Sequence, residues 1–126
     1  MFCEFHARSA FSFLEGASLP ETMIHRAAEL GYPSIAITDR AGFYGSARAH
    51  QAAKEFGVRA VVGTVVNDTP VLCASREGYR ILCRHLTSEH LHPEEVKDIL
   101  PRGHLIALTG DREGPIGRAA CRGDIK

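Results

Sequence analysis

Two residues of this chain, His6 and Asp39, have side chains that bind metal ions in many proteins, and each stands at the end of a short strand candidate. A neutral imidazole nitrogen or a carboxylate oxygen is a ligand for zinc, manganese or iron. The residues alone favour a structural interpretation for both. His6 fits a hydrogen-bonded structural histidine, and Asp39 fits a loop aspartate that caps the turn at Gly42 or pairs with Arg40.

The residue two places after His6 decides how a metal could be held there. A second histidine at that spacing would point to the same side of an extended chain and allow two ligands on one ion. The chain has Arg8 instead. Arginine stays protonated and has no lone pair, so it cannot replace a ligand. Its guanidinium could fill the space of a missing cation by pairing with Glu4 or Asp39.

The remaining motifs give weaker signals. His90 and His92, close to His85, have the H-x-H spacing of some metal sites, but no strand end with a carboxylate accompanies them, and a solvated loop is the better interpretation. Gly42 and Gly45 lie between a strand and a helix, where an anion could bind. Turn glycines explain that spacing equally well. The chain contains no Walker loop, dinucleotide fingerprint or G-x-S-x-G motif.

The elements that must position these residues alternate between strands and helices. Apolar runs predict strands at 2–6, 34–38, 59–66, 71–74 and 104–109. Amphipathic segments and stop signals predict helices at 18–30, 45–56, 77–86, 93–100 and 117–121. Ser18 and Glu21 predict a capping box for the first helix, and residues 67–70 predict a hairpin turn.

This β-α-β-α-β order favours an α/β fold of mostly parallel strands joined by right-handed helical crossovers. In such sheets and barrels the chemistry lies at the carboxyl ends of the strands. That rule selects His6, Asp39, residues 63–65 and residues 109–111. It selects positions and leaves the reaction open.

Length and charge limit the possible functions. The 126 residues suffice for one domain, and 15 basic residues balance 15 acidic ones, so the whole chain has no field that draws it onto DNA or an anionic membrane. No basic leader or long apolar run is present, which predicts a cytoplasmic protein that does not span a membrane. Four scattered cysteines predict reduced, mostly buried thiols: Cys3, Cys73, Cys83 and Cys121.

Five segments together resemble the start of the PHP (polymerase and histidinol phosphatase) domain. They are E-F-H-A-R-S-A-F-S-F-L-E-G-A-S, A-A-E-L-G-Y-P-S-I-A-I-T-D-R-A-G-F-Y-G, R-A-V-V-G-T, R-E-G-Y-R-I-L-C-R-H-L-T and H-L-I-A-L-T-G-D-R-E-G. The version they resemble most opens the DNA polymerase III alpha subunits of the error-prone, translesion type in the bacterial C family. The resemblance covers nearly the whole chain, and its several motifs occur in the right order.

The resemblance implies a seven-stranded (β/α) barrel with a metal cluster at its carboxyl face. The later ligand motifs of the family lie in the second half of the barrel. Residues 1–126 are therefore expected to form a partial PHP-type barrel, the incomplete amino-terminal half. Half a barrel has open strand edges, which invite pairing with missing sequence or with another chain.

The first and third family motifs match this chain only in part. The first motif is H-x-H-S; His6 and Ser9 match it, whereas Arg8 replaces its second histidine. The third motif offers a glutamate, and Val65 stands at its place. The resemblance therefore implies that, of the three ligand positions in these two motifs, the one at His6 has kept a donor and those at Arg8 and Val65 have lost theirs.

The second family motif, T-D-H-D-G, is likewise reduced. Thr38, Asp39 and Gly42 match it, whereas Arg40 and Ala41 replace its histidine and second aspartate. Two arginines at ligand positions repel divalent cations. We therefore expect His6 and Asp39 to be vestigial ligands, with no tightly bound metal, no other cofactor and no catalytic residues; manganese or zinc would bind only if the site were retained.

The resemblance implies a degenerate PHP domain that acts as a scaffold or partner-binding module in DNA replication, repair and translesion synthesis. Its partners would be the remainder of a polymerase chain or another polymerase subunit, with DNA contacted only indirectly. Polymerisation itself would belong to palm residues absent from this chain. Two alternatives stay open: a small metal-dependent phosphoesterase that adds Asp111 or His104 to His6 and Asp39, and a non-enzymatic homo-oligomer.

Overall fold

A five-stranded sheet runs through the part of the chain that the computed structural model describes, residues 1–95 and 103–124. Its strands lie side by side in chain order: β1 (Glu4–Ala7), β2 (Ser34–Arg40), β3 (Arg59–Val66), β4 (Thr69–Cys73) and β5 (Leu105–Ala107). The helices are α1 (Pro20–Glu29), α2 (Ser46–Phe56), α3 (Arg76–Leu91) and α4 (Pro115–Arg122), with a 3₁₀ turn at Pro93–Glu95.

The first three strands are parallel, with α1 and α2 as the crossovers between them. β4 runs antiparallel to β3 and to β5, so four of these five strands point the same way. This confirms the predicted α/β class with mostly parallel strands. The predicted hairpin turn between β3 and β4 is also present, and Asn67 and Asp68 form it with positive φ angles of 47° and 59°.

Two apolar clusters hold α1, α2 and α3 on the sheet. In the first, α1 and α2 pack on β2, and small alanines on α2 allow the close approach of the two helices. In the second, α3 packs on the β3–β4 hairpin through Leu82, Leu86, Val66 and Val71. The members of the first cluster are Ile24, Ala27, Ile35, Ile37, Ala49, Ala52, Ala53 and Val58. The carboxyl ends of β1, β2 and β3 are thereby fixed beside one another.

The predicted capping box at the start of α1 is wrong. The helix begins at Pro20, whose fixed φ suits the first helical position, and Leu19 is the N-cap without a side-chain cap. The carbonyl of Ser18 accepts a hydrogen bond from the amide of Ala10 at 2.8 Å. The side chain of Glu21 forms an ion pair with Arg48 on α2.

α3 continues five residues beyond the predicted end at residue 86, so the predicted loop is wrong at His90, which lies in the last turn, and is present at His92, which follows the helix. Nδ1–H of His90 donates to the carbonyl of Leu86 at 2.7 Å, which supports the last turn. His92 is the C-cap, and its amide donates to the carbonyl of Ser88. Of the helix predicted at 93–100, residues 93–95 form the 3₁₀ turn and the others lie outside the described residues.

All four cysteines are free thiols, but the expectation that most are buried is wrong. Cys3, Cys73 and Cys83 are half-buried, and Cys121 is exposed. Burial, followed by the nearby Cys83, raises the pKa of Cys73 to about 11. Among residues 1–95 and 103–124, no helix combines the length and apolar character that a membrane-spanning segment needs.

Candidate functional site at the carboxyl ends of the strands

Asp39, next to last in β2, is the centre of a buried hydrogen-bond cluster. Its side chain is 1% exposed and accepts from four donors on three other residues. The amide of Ser9 donates to Oδ1 at 2.8 Å, and the hydroxyl of Ser9 lies 2.9 and 2.8 Å from Oδ1 and Oδ2. The hydroxyl of Ser12 donates to Oδ1 at 2.9 Å, and the amide of Gly45 donates to Oδ2 at 3.2 Å.

These contacts use the acceptor capacity of the Asp39 carboxylate. An ionised carboxylate offers about four lone-pair directions, and four donors point at this one. The two structural interpretations from sequence are both wrong. The amide of Gly42 donates instead to Oγ1 of Thr64 at 3.0 Å, and the guanidinium of Arg40 binds other carboxylates.

The loop after β1, residues 8–19, is shaped by its own backbone as well as by Asp39. The amide of Ser12 donates to the carbonyl of Ser9 at 2.9 Å, and the amide of Glu15 donates to the carbonyl of Ser12 at 3.0 Å. Gly16 lies so close to Ser9 that a Cβ on it would come within 2.1 Å of the Ser9 carbonyl oxygen. The loop is therefore tightly folded beneath the carboxyl end of β2.

An alternating row of charges, which we call the arginine–carboxylate chain, joins this loop to the hairpin and to α4. It consists of Arg8, Glu15, Arg40, Asp68 and Arg118. Glu15 accepts from Arg8 at 2.8 Å and from Nε of Arg40 at 2.9 Å. Asp68, in the β3–β4 turn, accepts from Arg40 at 2.9 Å and from Arg118 at 3.0 Å. Arg8 and Arg40 are therefore bridged by one carboxylate.

The pairing that the sequence suggested for Arg8 is wrong. Its partners are Glu15 and, at 3.6 Å, Asp111, rather than Glu4 or Asp39. Glu4 accepts instead from the amide of His6 at 2.7 Å. The physical reason is reach: the loop after β1 folds back and presents Glu15 to the Arg8 guanidinium.

His6 is half-buried and faces a positive charge. Its Nε2 lies 3.4 Å from a guanidinium nitrogen of Arg8. Burial and then the charge of Arg8 lower the pKa of His6, while Asp111, Glu4 and Glu15 partly offset that effect. The lowered pKa favours the neutral imidazole, and one ring nitrogen is directed at a guanidinium.

The other candidate ligands are divided between two places. Asp111 belongs to this region through Arg8, whereas Nδ1 of His104 lies 2.9 Å from the hydroxyl of Ser75 at the start of α3. Val65 is 2% exposed in β3 and pairs with Arg40 in the sheet register. Within the described ranges, 1–95 and 103–124, no three His, Cys, Asp or Glu residues are grouped so as to hold a metal ion.

The arginine–carboxylate chain also makes the free energy of unfolding depend on pH in the acid range. Hydrogen bonds from Arg40 and then Arg118 hold the pKa of Asp68 below its ordinary value of 3.8. A carboxyl group with a lowered folded-state pKa stabilises the protein above its unfolded-state pKa, and that contribution disappears as the pH falls through the folded-state value. Because Asp68 is 37% exposed, we expect less than about 1 kcal/mol from it.

The expected result is that Asp68→Asn lowers the free energy of unfolding at pH 7 and makes it fall less between pH 4 and pH 2 than in the parent. Urea unfolding across that range measures both changes. Asp124→Asn, which removes an exposed carboxylate outside the arginine–carboxylate chain, is the matched control. If the free energy of unfolding fell by the same amount between pH 4 and pH 2 in the parent and in Asp68→Asn, Asp68 would not be the source of this pH dependence.

Sequence reasoning missed the two bridging carboxylates, Glu15 and Asp68. Both lie in turns that follow or connect strands, which was the available signal, but nothing in the sequence says which arginine each one reaches. The partners lie 7 to 50 positions apart along the chain. Such contacts depend on the packed positions of several elements.

Comparison with known proteins relates the chain to one family and to longer enzymes. The PHP domain model matches residues 4–126. The error-prone DNA polymerase of Mycobacterium tuberculosis strain H37Rv is 38% identical over an alignment 146 positions long, which covers 97% of this chain and 13% of that protein. The error-prone DNA polymerase of Rhodopirellula baltica is 41% identical over 99 residues, 75% of this chain and 9% of that protein.

Solved structures share the architecture. An amidohydrolase from Chromobacterium violaceum, solved with bound sulfate and no metal, has a TM-score of 0.57 and 27% identity over 68% of this chain and 32% of its own. A two-domain protein from Bacteroides vulgatus, described as containing a predicted PHP-like metal-dependent phosphoesterase, has a TM-score of 0.53 at 13% identity. That match covers 97% of this chain and 41% of the other. At 13% identity the likeness shows the fold alone.

Proposed function

Because the chain belongs to the PHP domain family, we propose that it is a PHP domain of an error-prone DNA polymerase in which the metal site is degenerate. On this proposal it acts as a structural platform rather than as a phosphoesterase. The observation that carries the proposal is the bridge that Glu15 makes between Arg8 and Arg40. Both arginines stand at positions where the family motifs have metal-binding histidines.

The charge arrangement argues against a divalent cation. A guanidinium presents donors only, so Arg8 and Arg40 cannot coordinate a metal and instead repel one. Glu15 and Asp68, the carboxylates nearest to these arginines, are already held in ion pairs by Arg8, Arg40 and Arg118. A crosslink of carboxylate and guanidinium thus joins the strand ends that a metal cluster would otherwise join.

The remaining donors do not fit a tightly held metal. Asp39 would have to exchange at least one of its four hydrogen-bond donors for an ion. A buried donor that loses its acceptor costs about 1–3 kcal/mol, so the exchange is unfavourable. His6 supplies one imidazole, and its Nε2 faces Arg8. Val65 supplies no ligand at all.

The platform role rests on the size of the relatives. The polymerases that the chain matches are much longer, and it spans 9–13% of the relatives cited above. We propose that residues 1–126 are the amino-terminal part of a PHP barrel, packed against the remainder of a polymerase chain or another polymerase subunit. Replication, lesion bypass and a cytoplasmic location would then be properties of that whole assembly, with DNA contacted through other parts.

A metal-dependent phosphoesterase remains the second candidate because Asp111 lies beside His6 and Arg8, where it could add a carboxylate. The metal content of the purified chain and its hydrolysis of a phosphate ester separate the two functions. The purified chain should contain well below one equivalent of manganese or zinc by mass spectrometry. It should also hydrolyse a generic phosphate ester at the same rate with and without EDTA.

Restoring the ligand residues of the family motifs should restore affinity for a divalent metal ion. We expect the triple variant Arg8→His, Arg40→His and Val65→Glu to bind manganese or zinc about tenfold or more tightly than the parent, because three donors replace two positive charges and an apolar side chain. Isothermal titration measures the affinity. Since Val65 is buried, the double variant Arg8→His with Arg40→His tests the charge effect without placing a carboxylate in the core.

The matched control changes two exposed arginines on different elements, Arg59→His in β3 with Arg84→His in α3, and should leave metal affinity unchanged. Stoichiometric metal in the parent together with EDTA-sensitive hydrolysis would overturn the degenerate site. Folded double and triple variants with parental affinity would show that these positions do not converge on a metal-sized space.

A further inference from the structure

An open groove runs between α3 and the loop that follows β2. Its volume is about 400 Å³. The loop contributes Phe43 and Tyr44, and α3 contributes Cys83, Leu86 and Leu91 among others. Leu86 is buried and forms the floor of the groove, whereas Tyr44 and Leu91 are 55% and 66% exposed and form its walls. Large apolar side chains are therefore open to a partner here.

The spacing of the groove residues on α3 suits a partner that is itself a helix. They stand at positions 83, 86, 87, 90 and 91, which share one face because an α-helix turns once in 3.6 residues. A second helix laid along that face contacts these side chains in succession, as amphipathic helices do in apolar grooves. Leu86 also belongs to the cluster that packs α3 on the β3–β4 hairpin, so the groove is presented on a fixed element.

Three exposed arginines of α3 border the groove: Arg76, Arg80 and Arg84. They stand four residues apart, so successive arginines lie about 6 Å from each other along the helix axis and on one side of it. Each precedes a groove residue by three or seven positions, which makes the two neighbours on the helix surface. Arg80 pairs with Glu77 at 3.1 Å, whereas Arg76 and Arg84 have no carboxylate partner in the part of the chain that the structure describes.

The charges beside the groove select the chemistry of the partner. Three guanidiniums against the one carboxylate of Glu77 make this side of α3 positive. A partner that fits must bring carboxylates to Arg76 and Arg84 as well as apolar side chains to the groove, because complementary charges favour association and like charges oppose it. An amphipathic helix with aspartates or glutamates along its flanks supplies both.

Two other occupants fit this surface less well. A two-fold interface between two copies would bring the same patch of each molecule together, so the arginines of one copy would face and repel those of the other. Nucleic acid would meet the arginines and leave the apolar groove unfilled. A chain with 15 basic and 15 acidic residues also has no overall field to attract nucleic acid.

We propose that the groove binds an acidic amphipathic helix from the remainder of the polymerase chain, with apolar side chains between Tyr44 and Leu91 and carboxylates on Arg76, Arg80 and Arg84. The inference rests on the proposed function, which makes residues 1–126 part of a longer polymerase. The relatives cited are long enough to supply such a helix, since this chain spans 9–13% of them. A groove of this size binds weakly, and a segment tethered in the same chain has an effective concentration of about 1 mM, which a separate subunit lacks.

Amide chemical shifts of the 126-residue chain during titration with a synthetic peptide test the surface. The peptide places leucines at the i, i+3, i+4, i+7 spacing and glutamates on both flanks. The expected result is a dissociation constant on the order of 1 mM, close to the effective concentration that a tether supplies, with shifts confined to residues 41–44 and 76–91. Absence of binding well above that concentration, or equal binding of an analogue with lysine in place of glutamate, would overturn the proposal.

Removal of charge from α3 tests the role of the arginines. Arg80→Gln with Arg84→Gln should weaken peptide binding about threefold to tenfold and should fold normally, because both side chains are exposed. Arg59→Gln with Arg112→Gln removes the same charge from two exposed arginines away from α3 and is the matched control. Parental affinity in the first variant, or equal weakening in both, would contradict the proposal. A single-stranded oligothymidine that shifts the same residues would also contradict it and assign the surface to nucleic acid.

Alkylation of Cys83 tests the source of the helix, because this thiol lines the groove. Its rate of reaction with iodoacetamide, relative to the same protein unfolded in urea, should be several-fold lower in the longer polymerase than in the 126-residue chain. Equal rates would overturn the assignment to the polymerase's own chain. None of these measurements involves a metal, so a metal-loaded site would overturn the proposed function and leave these outcomes unchanged.

Discussion

Replacing Asp39 by asparagine is expected to lower the free energy of unfolding by about 3 kcal/mol, a large part of the stability of a domain of this size. The carboxylate is buried and accepts from Ser9, Ser12 and Gly45. An asparagine has one acceptor oxygen, and its amide group would turn N–H donors towards the backbone N–H of Ser9 or Gly45. At least one buried donor would be left without a partner.

Urea unfolding followed by circular dichroism at pH 7 measures this loss. Asp124→Asn is the matched control, because Asp124 is 58% exposed and pairs with a neighbouring arginine, Arg122. It should change the free energy of unfolding by less than about 0.5 kcal/mol. If the two variants proved equally stable, the cluster around Asp39 would not be a determinant of the fold.

A second large loss is expected from Gly16→Ala, about 3 kcal/mol. The added Cβ would lie 2.1 Å from the carbonyl oxygen of Ser9, 2.6 Å from its carbonyl carbon and 2.8 Å from the carbonyl oxygen of Arg8. All three are backbone atoms, so no side chain can rotate away to make room. The loop would have to shift, and the hydrogen bonds that Ser9 and Ser12 make to Asp39 would be disturbed.

Gly57→Ala separates this clash from the ordinary cost of losing a glycine. Gly57 ends α2 with a φ angle of +69°, and nothing lies within 4 Å of a Cβ placed on it. Only the strain of a positive φ applies there, about 1 kcal/mol. The same unfolding measurement compares the two variants, and a Gly16→Ala loss no greater than that of Gly57→Ala would argue that the loop is not tightly packed.

Much of the parallel half of the sheet could be predicted from the sequence, because its signals are local. Apolar runs indicate β2 and β3, and glycines with positive φ follow α1 and α2 at Gly31 and Gly57. The end of α3 could not be predicted in the same way. Its last turn depends on a histidine that bonds back to the helix, and the polar residues around it look like a loop.

The candidate site was predictable in its position and unpredictable in its contacts. The carboxyl-end rule selected His6 and Asp39, which the structure places near the carboxyl ends of β1 and β2, and the family motifs drew attention to Arg8 and Arg40. The partners of Asp39, however, include residues 27 and 30 positions earlier in the chain. No periodicity or spacing encodes which hydroxyls and amides a buried carboxylate meets across a helical crossover, so the sequence favoured nearer partners that the structure does not use.

The long sequence separation around Asp39 has a consequence for the order of folding. Ser9 and Ser12 precede β2, so the first loop cannot acquire its final shape until α1 has formed and β2 has docked beside β1. Contacts that close such a stretch form late and slow the folding of the domain, because the entropy of the intervening chain is lost first. β1, α1 and β2 should therefore fold together as a single cooperative unit. During synthesis the loop would stay unfolded until the ribosome has released residue 45, whose amide completes the cluster.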